Sequence, residues 1–293
     1  MQGVIISSYG GIFKVAAGEK IFNYSARGVL RSKKLTPLCG DRADIEVSAG
    51  EYVIKSILPR RNEIVRPPLA NLDQIVFVSS SIDPPPNLCN LDKFTAVSIY
   101  KGISPVIVFT KSDIVDPEPY AKIYRDIFPT FCVDNLSHEG VNSLEKVLKD
   151  KFSALCGNSG VGKSSLINSL LPGAGVITGE ISAKLGRGKN TTRRTDIYPL
   201  PYGGYIADTP GFASFSTERY DIIFKEKLAD CFPEFSEYAG KCRFSDCSHR
   251  SELGCAVLEA LKDGKISPSR HNSYCAMYVE AAKLKEWEFK DRR

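Results

Sequence analysis

The chain has 293 residues, room for two or three compact domains, and its 43% hydrophobic and 25% charged residues are ordinary for a soluble globular protein. No run approaches the roughly eighteen apolar residues of a membrane span, and Gly10 and Gly11 interrupt the N-terminus where a signal peptide needs an unbroken apolar core. The net charge of +5 sits wholly in residues 1–66, with eleven Lys and Arg against six Asp and Glu, which marks either a phosphate-backbone partner or a solvated basic face.

In chain order, residues 1–66 read as about five short strands (GVIISS, GIFKVAA, IFNYSARG, ADIEVS, EYVIKSIL) broken by glycine turns. So many strands in so short a span predict a small barrel of OB type, a shape often used to bind RNA with basic loops. Arg27, Arg31, Lys33 and Lys34 share one connection, Arg60 and Arg61 another, and Pro67-Pro68 marks a linker. From residue 71 the texture changes. The apolar, β-branched runs DQIVFVSSS, PVIVFTKSD and TFCVDN alternate with the helical spacing of LDKFTAVSIYKG and VNSLEKVLKDK. This pattern predicts a doubly wound α/β domain with a mostly parallel sheet over residues 67–216. Residues 217–293 read as helical and charged, around a cluster of cysteines.

Gly157-Asn158-Ser159-Gly160-Val161-Gly162-Lys163-Ser164 fits a phosphate-binding loop, after the apolar ALC and before a helix that begins with Ser165. Its glycines let backbone amides curl around phosphates at a helix N-terminus. Lys163 reaches the β- and γ-phosphates and Ser164 ligates Mg²⁺. Asp208-Thr209-Pro210-Gly211 follows YIA, with Asp208 on the metal side and the Gly211 amide as γ-phosphate sensor. Thr110-Lys111-Ser112-Asp113 ends PVIVF. There the Asp113 carboxylate can accept from N1–H and the 2-amino group of guanine, a donor pair that adenine lacks. The ligand is therefore GTP or GDP. Ordinary GTPases carry the phosphate loop first; here the guanine motif precedes it, so the GTPase domain is circularly permuted. The segment after Gly211 then runs straight into the C-terminal region.

Cys242-x₄-Cys247-x-His249-x₅-Cys255 offers three thiolates and one imidazole, a closed structural zinc set; spacing alone leaves buried cysteines as the alternative. His138 and His271 are isolated. Residues 269–293 read as a helix with Tyr274, Tyr278 and Trp287, either a packing stripe or a face for RNA.

The runs ARGVLRSKKLTPLCGDRADIEV, ILPRRNEIVRPPLANLDQIVFV and GRGKNTTRR, the motif order and the late cysteine cluster resemble the ribosome small subunit-dependent GTPase A (RsgA) family over essentially the whole chain. The resemblance implies an OB-fold RNA-binding domain (1–66), a permuted GTPase domain (67–216) and a helical zinc-binding domain (217–293). It implies action late in maturation of the small ribosomal subunit, in contact with its rRNA, with GTP hydrolysis that the subunit stimulates; the N-terminal layout makes the cytoplasm the default location, and a monomer is expected. Mg²⁺ bound with GTP and one structural Zn²⁺ on Cys242, Cys247, His249 and Cys255 follow from it. Thr192 is identified as the switch threonine ligating Mg²⁺, with Thr191 the alternative. Asp134 and Asn135 stand where the family usually has serines in its fifth motif, so only backbone contacts from Asn135 to the guanine are carried over. Phe212 stands where a water-orienting Gln is found in other GTPases. Asn190 replaces the histidine expected before the threonine pair, and it can hydrogen-bond a water without accepting its proton.

Overall fold

The computed structural model describes residues 1–9, 12–18, 20–25, 36–48, 51–172, 196–209, 212 and 221–285. Strands β1 (Gln2–Tyr9), β2 (Ile12–Ala17), β3 (Lys20–Ser25), β4 (Arg42–Ser48) and β5 (Glu51–Ile57) form one antiparallel sheet in the order β3-β2-β1-β4-β5. Alternation decides which side is inside: Phe13, Val15 and Ala17 of β2 face a core with Ile5, Ala43, Ile45 and Ile54, while Ile12 and Lys14 face out. Register shifts at Ile5/Ser7 and Asp44/Ile45 bend β1 and β4. The sheet curls until its two edge strands meet, with the Phe22 ring stacked on Tyr52 at 4.0 Å between centroids.

Pro67 and Pro68, read from sequence as a linker, form the turn of a short hairpin between β6 (Glu63–Ile64) and β7 (Leu69–Ala70). Ile64 and Leu69 are fully buried, so the hairpin belongs to the core. Arg60 and Arg61, grouped in the sequence as part of a basic face, are instead paired within the fold. Arg60 donates Nε and Nη2 to the buried Asp41 carboxylate at 2.8 and 2.9 Å, and Nη1 to Glu63 at 2.7 Å. Arg61 donates to Asp73 and to the Asn71 carbonyl. Arg60 fastens the curled sheet to the hairpin, its forked donors matching the Asp41 carboxylate, while Arg61 ties its own segment to the chain just after β7. Arg27, Arg31, Lys33 and Lys34 lie outside the described residues.

The second sheet comprises β8 (Gln74–Ser80), β9 (Ser104–Thr110), β10 (Thr130–Val133), β11 (Phe152–Cys156), β12 (Asp196–Pro199) and β13 (Tyr205–Asp208), in the order β10-β9-β8-β11-β13-β12. All pairings are parallel except β12 with β13. Helices cover both faces, so β-branched and aromatic residues point both ways. Ile75 and Phe77 of β8 and Ile107 and Phe109 of β9 face α1 (Leu88–Tyr100) and α2 (Glu118–Tyr124). Val76, Val78, Val106 and Val108 face α3 (Val141–Leu148) and α4 (Lys163–Leu170). Helix α1 begins at Asn87, whose Oδ1 accepts from the Asn90 amide at 2.9 Å. The chain order reverses between β8 and β11, and that crevice is where doubly wound sheets bind ligands.

The C-terminal segment contains α5 (Lys225–Leu228), α6 (Ala256–Lys262) and α7 (Pro268–Ala281). Phe232, Phe235, Val257 and Tyr274 share one continuous apolar cluster with Phe77 and Phe94 of the sheet domain. At that contact Arg270 of α7, wholly buried, bonds Asp92 at 2.8 Å and Thr95 at 3.1 Å on α1, and Glu234 through Nε and Nη2. The Tyr124 hydroxyl of α2 also donates to Asp92. Three segments far apart in sequence are thus joined by one guanidinium.

Candidate functional site

The sequence motifs converge on the C-terminal edge of the parallel sheet. Thr110 ends β9, Asn135 follows β10, Gly157 follows β11 and Asp208 ends β13. The loop from Gly157 to Ser164 leads into α4, with Gly157, Gly160 and Gly162 at φ of 142, 81 and 90°. A side chain at Gly157 would collide with the Val78 carbonyl, so the close passage of the loop over β8 requires glycine there. The Lys163 ammonium folds back onto the loop, donating to the Gly157 and Asn158 carbonyls at 2.7 Å each. Burial lowers its pKa, and the Asp208 carboxylate opposes that shift, which places the two groups in one electrostatic neighbourhood. Ser164 and Ser165 occupy the first turn of α4.

Thr110 contributes more than a strand end. Its hydroxyl lies 2.6 Å from the Val161 carbonyl and 3.2 Å from that of Ser79, tying the guanine motif to the phosphate loop. Lys111 adopts a left-handed backbone, φ 60°, and its ammonium donates to the Asp83 carbonyl. Ser112 follows half-buried, and Asp113 is exposed at the rim, open to a base. Asp134 turns inward on its own loop: its carboxylate accepts from the Ser137 and Leu136 amides, and hydrogen bonds from Ser137 and Leu136 hold it below the usual range. Asn135 lies beside Gly162 and Thr110, with its Oδ1 buried and unbonded.

Phe212, only 3% exposed, packs edge-on against Phe94 of α1, with centroids 5.4 Å apart, so it is core and not a water-orienting group. Its carbonyl accepts from the Gly157 amide at 2.9 Å and its amide donates to Thr209 at 3.1 Å. Thr209 in turn donates its hydroxyl to the Leu155 carbonyl. Gly211, Asn190, Thr191 and Thr192 lie outside the described residues.

A second cluster gathers Cys242, Cys247, His249 and Cys255, whose ligand atoms all lie within 4.8 Å of one another. The Sγ atoms of Cys242 and Cys255 stand 3.8 Å apart, and each is 3.5 Å from His249 Nδ1. A tetrahedron with zinc–sulfur bonds of about 2.3 Å and zinc–nitrogen bonds of about 2.0 Å has edges of about 3.8 Å and about 3.5 Å. Three of the four donors therefore stand at the spacing of a zinc tetrahedron, and the Cys₃His set is compatible with Zn²⁺ in its chemistry. Burial pulls the His249 pKa down, which favours the neutral ligand form. His271, which showed no role in the sequence, supports this loop by donating Nε2 to the His249 carbonyl at 2.8 Å, and the Tyr274 hydroxyl donates to Ser248. Burial raises the Glu252 pKa, but hydrogen bonds from Ser248 and from the Ser251 amide outweigh it and hold the carboxylate ionised as the pin of the loop. The C-terminal helix is a packing stripe over its described part, with Tyr274 buried and the Arg250 guanidinium 4.3 Å above the Tyr278 ring; Trp287 lies outside the described residues.

The chain is similar to known proteins over nearly its whole length. A family model described as RsgA GTPase matches residues 57–218, and one described as RsgA N-terminal domain matches residues 2–52. A Carboxydothermus hydrogenoformans protein named small ribosomal subunit biogenesis GTPase RsgA is 39% identical over 285 residues, spanning 96% of this chain and 97% of its own. One of the same name from Alkaliphilus metalliredigens is 39% identical over 293 residues, 98% and 99% of the two chains. The crystal structure of YjeQ from Thermotoga maritima aligns with a TM-score of 0.82 at 30% identity, covering 97% of this chain and 99% of that one. YloQ, described as a circularly permuted GTPase, aligns with a TM-score of 0.78 at 30% identity over 97% and 96%. No helix among the described residues is long and apolar enough to cross a membrane.

Proposed function

Because the chain belongs to the RsgA GTPase family, we propose that it binds GTP with Mg²⁺ and hydrolyses it in the maturation of the small ribosomal subunit. The observation that carries this reading is the bond from Thr110 to the Val161 carbonyl, which sets a guanine motif and a phosphate loop at one crevice in permuted order. In this reading Asp113 reads the guanine edge, Lys111 lays its stem along the base, and Asn135 contributes its backbone. The loop from Gly157 to Ser165 wraps the phosphates with its amides, and Lys163 neutralises the β- and γ-oxygens. Ser164, Thr192 and Asp208 hold Mg²⁺, which when bound offsets charge building on the bridging oxygens. Gly211 senses the γ-phosphate.

The domains are taken as 1–66, 67–216 and 217–293. The curled first sheet acts as an OB-type RNA-binding module, and the four-ligand loop holds one structural zinc. Together they grip the subunit and its rRNA, and the chain works as a cytoplasmic monomer. Hydrolysis by the chain alone is slow, since Phe212 is in the core and Asn190 cannot act as a base. The buried Phe212 also favours a second reading, a GTP-operated RNA-binding switch with negligible hydrolysis. GTP turnover by wild type and Asn190→His, each with and without small subunits, separates them. Stimulation of the wild type by subunits supports the first reading; none at all favours the second. Turnover of many GTP per second without subunits refutes the slow-alone assignment.

A further inference from the structure

A continuous set of contacts runs from the phosphate loop to the four-ligand loop. The Gly157 amide donates to the Phe212 carbonyl, and the Phe212 ring bears on Phe94 of α1. Two residues earlier on α1, Asp92 receives the Arg270 bond at 2.8 Å. The residue after Arg270, His271, holds the His249 carbonyl, and Tyr274 holds that of Ser248 one turn further on. We propose that α1 and α7 carry the nucleotide state to the Cys242–Cys255 loop, with Phe212 and Arg270 as the positioning residues at the two transfers.

This coupling rests on the GTP reading, because Phe212 directly follows the Asp208–Gly211 motif that distinguishes GTP from GDP. Little slack separates that motif from the core. Thr209 is bonded to the Leu155 carbonyl, and the Phe212 amide is bonded back to Thr209. A displacement at the γ-phosphate therefore reaches the Phe212 ring, and a close-packed interior passes it to Phe94 instead of absorbing it. Asp92 then moves with α1. Leaving Asp92 or Arg270 unpaired in the interior is far more costly than a small translation of α7, so the buried pair travels as a unit. Room for that translation exists. A cleft lined by Lys93, Ile223, Leu228, Met277 and Glu280 opens beside the α1–α7 contact, and the Lys93–Glu280 pair at its rim can slide. Packed helices shear in this way without unfolding.

The test is amide hydrogen exchange across residues 242–255 and 268–281, in the full chain with GDP and with a non-hydrolysable GTP analogue, after nucleotide affinity and zinc content have been measured. The wild type is expected to show at least a five-fold difference in exchange between the two states, the lower end of ordinary coupling at about 5- to 150-fold. Phe94→Leu keeps an apolar core residue but loses the ring contact. Arg270→Lys keeps the charge but loses the fork that spans Asp92 and Glu234. Each should reduce the difference below two-fold while both nucleotides still bind. A chain that binds both nucleotides yet shows no difference overturns the proposal alone, as does a wild-type difference retained in both variants. A chain that binds neither nucleotide overturns the GTP reading and the proposal with it. Absence of zinc removes the metal assignment and leaves the exchange result to decide the coupling. If Arg270→Lys fails to fold, the exchange measured in Phe94→Leu decides the matter by itself.

Discussion

Arg270→Met removes the guanidinium at the centre of the buried cluster between α1, α2 and α7. Arg270 and Asp92 side chains are 0% exposed and that of Glu234 is 8% exposed. The bonds to Asp92, Thr95 and both Glu234 oxygens are lost, as is the guanidinium seated 4.7 Å over the Phe232 ring, while methionine keeps most of the stem's packing. Breaking one side of a buried pair costs about 3–5 kcal/mol, mainly for the charge left behind. With a urea slope of about 3 kcal/mol per molar, a loss of about 4 kcal/mol lowers the midpoint by about 1.3 M. The pH dependence has a definite sign. Burial raises the Asp92 pKa and the Arg270 charge opposes that, so the substitution raises it further. A carboxyl whose folded pKa exceeds its unfolded pKa stabilises the fold below the unfolded value, and that contribution is lost as pH rises through the folded value. The deficit against wild type is thus largest at neutral pH and shrinks on acidification through the folded pKa. Adding Asp92→Asn should recover about half of it at neutral pH and flatten the dependence. Urea unfolding followed by circular dichroism across pH measures all of this. A deficit under about 1 kcal/mol at neutral pH, or one that grows on acidification, refutes the reasoning.

Asp113→Asn should weaken GTP binding by about 100-fold and turn preference toward xanthine nucleotides, measured by competition; retained guanine selectivity would place base recognition elsewhere. Gly157→Ala puts a Cβ against the Val78 carbonyl at φ 142°. GTP and GDP affinity should fall together, by about 5- to 150-fold for a strain of about 1–3 kcal/mol, in isothermal titration. Thr110→Val removes the hydroxyl bonded to Val161 and should cost about 1 kcal/mol, seen as a several-fold loss for both nucleotides and no change in base preference. Elemental analysis should find one zinc per chain and none in Cys255→Ala, with a lowered melting temperature in the variant; an equal melting temperature would argue against a structural metal.

The sheet domain was legible because its signals are local. Ile75 to Val78 and Val106 to Phe109 are apolar on both faces, as strands covered on both sides must be, and each motif follows a strand within a few residues. The cluster around Arg270 was not legible, because Asp92, Glu234 and Arg270 are charged residues of unremarkable spacing that meet only after folding. One signal was present. Arg270 occupies the same helical stripe as Tyr274, Met277 and Ala281, where a charge is tolerated only if paired. Arg60 and Arg61 misled for the related reason that composition counts charges without their partners. The two-residue strands beside Pro67-Pro68 carry too few residues for any periodicity, and their burial comes from tertiary contacts.

The permuted order matters for what it attaches to α1. In sequence, the segment after Asp208 continues into the C-terminal region, which suggests transmission along the chain. The structure adds a lateral route. Phe94 in the middle of α1 holds Phe212, and Lys101 at its end reaches the Asp221 carboxylate at 3.0 Å and the Glu63 carbonyl at 3.3 Å. One helix therefore grips the chain on both sides of residues 213–220 and also touches the hairpin that follows the curled sheet. Because Asp221 is buried, its bond to Lys101 is not readily exchanged for water. Phe212 and Asp221 are thus both held by α1, the helix that Arg270 also bonds through Asp92 and Thr95. The packing on α1 thus gives the C-terminal segment a second connection to the residue that follows the Asp208–Gly211 motif, beside the peptide chain itself.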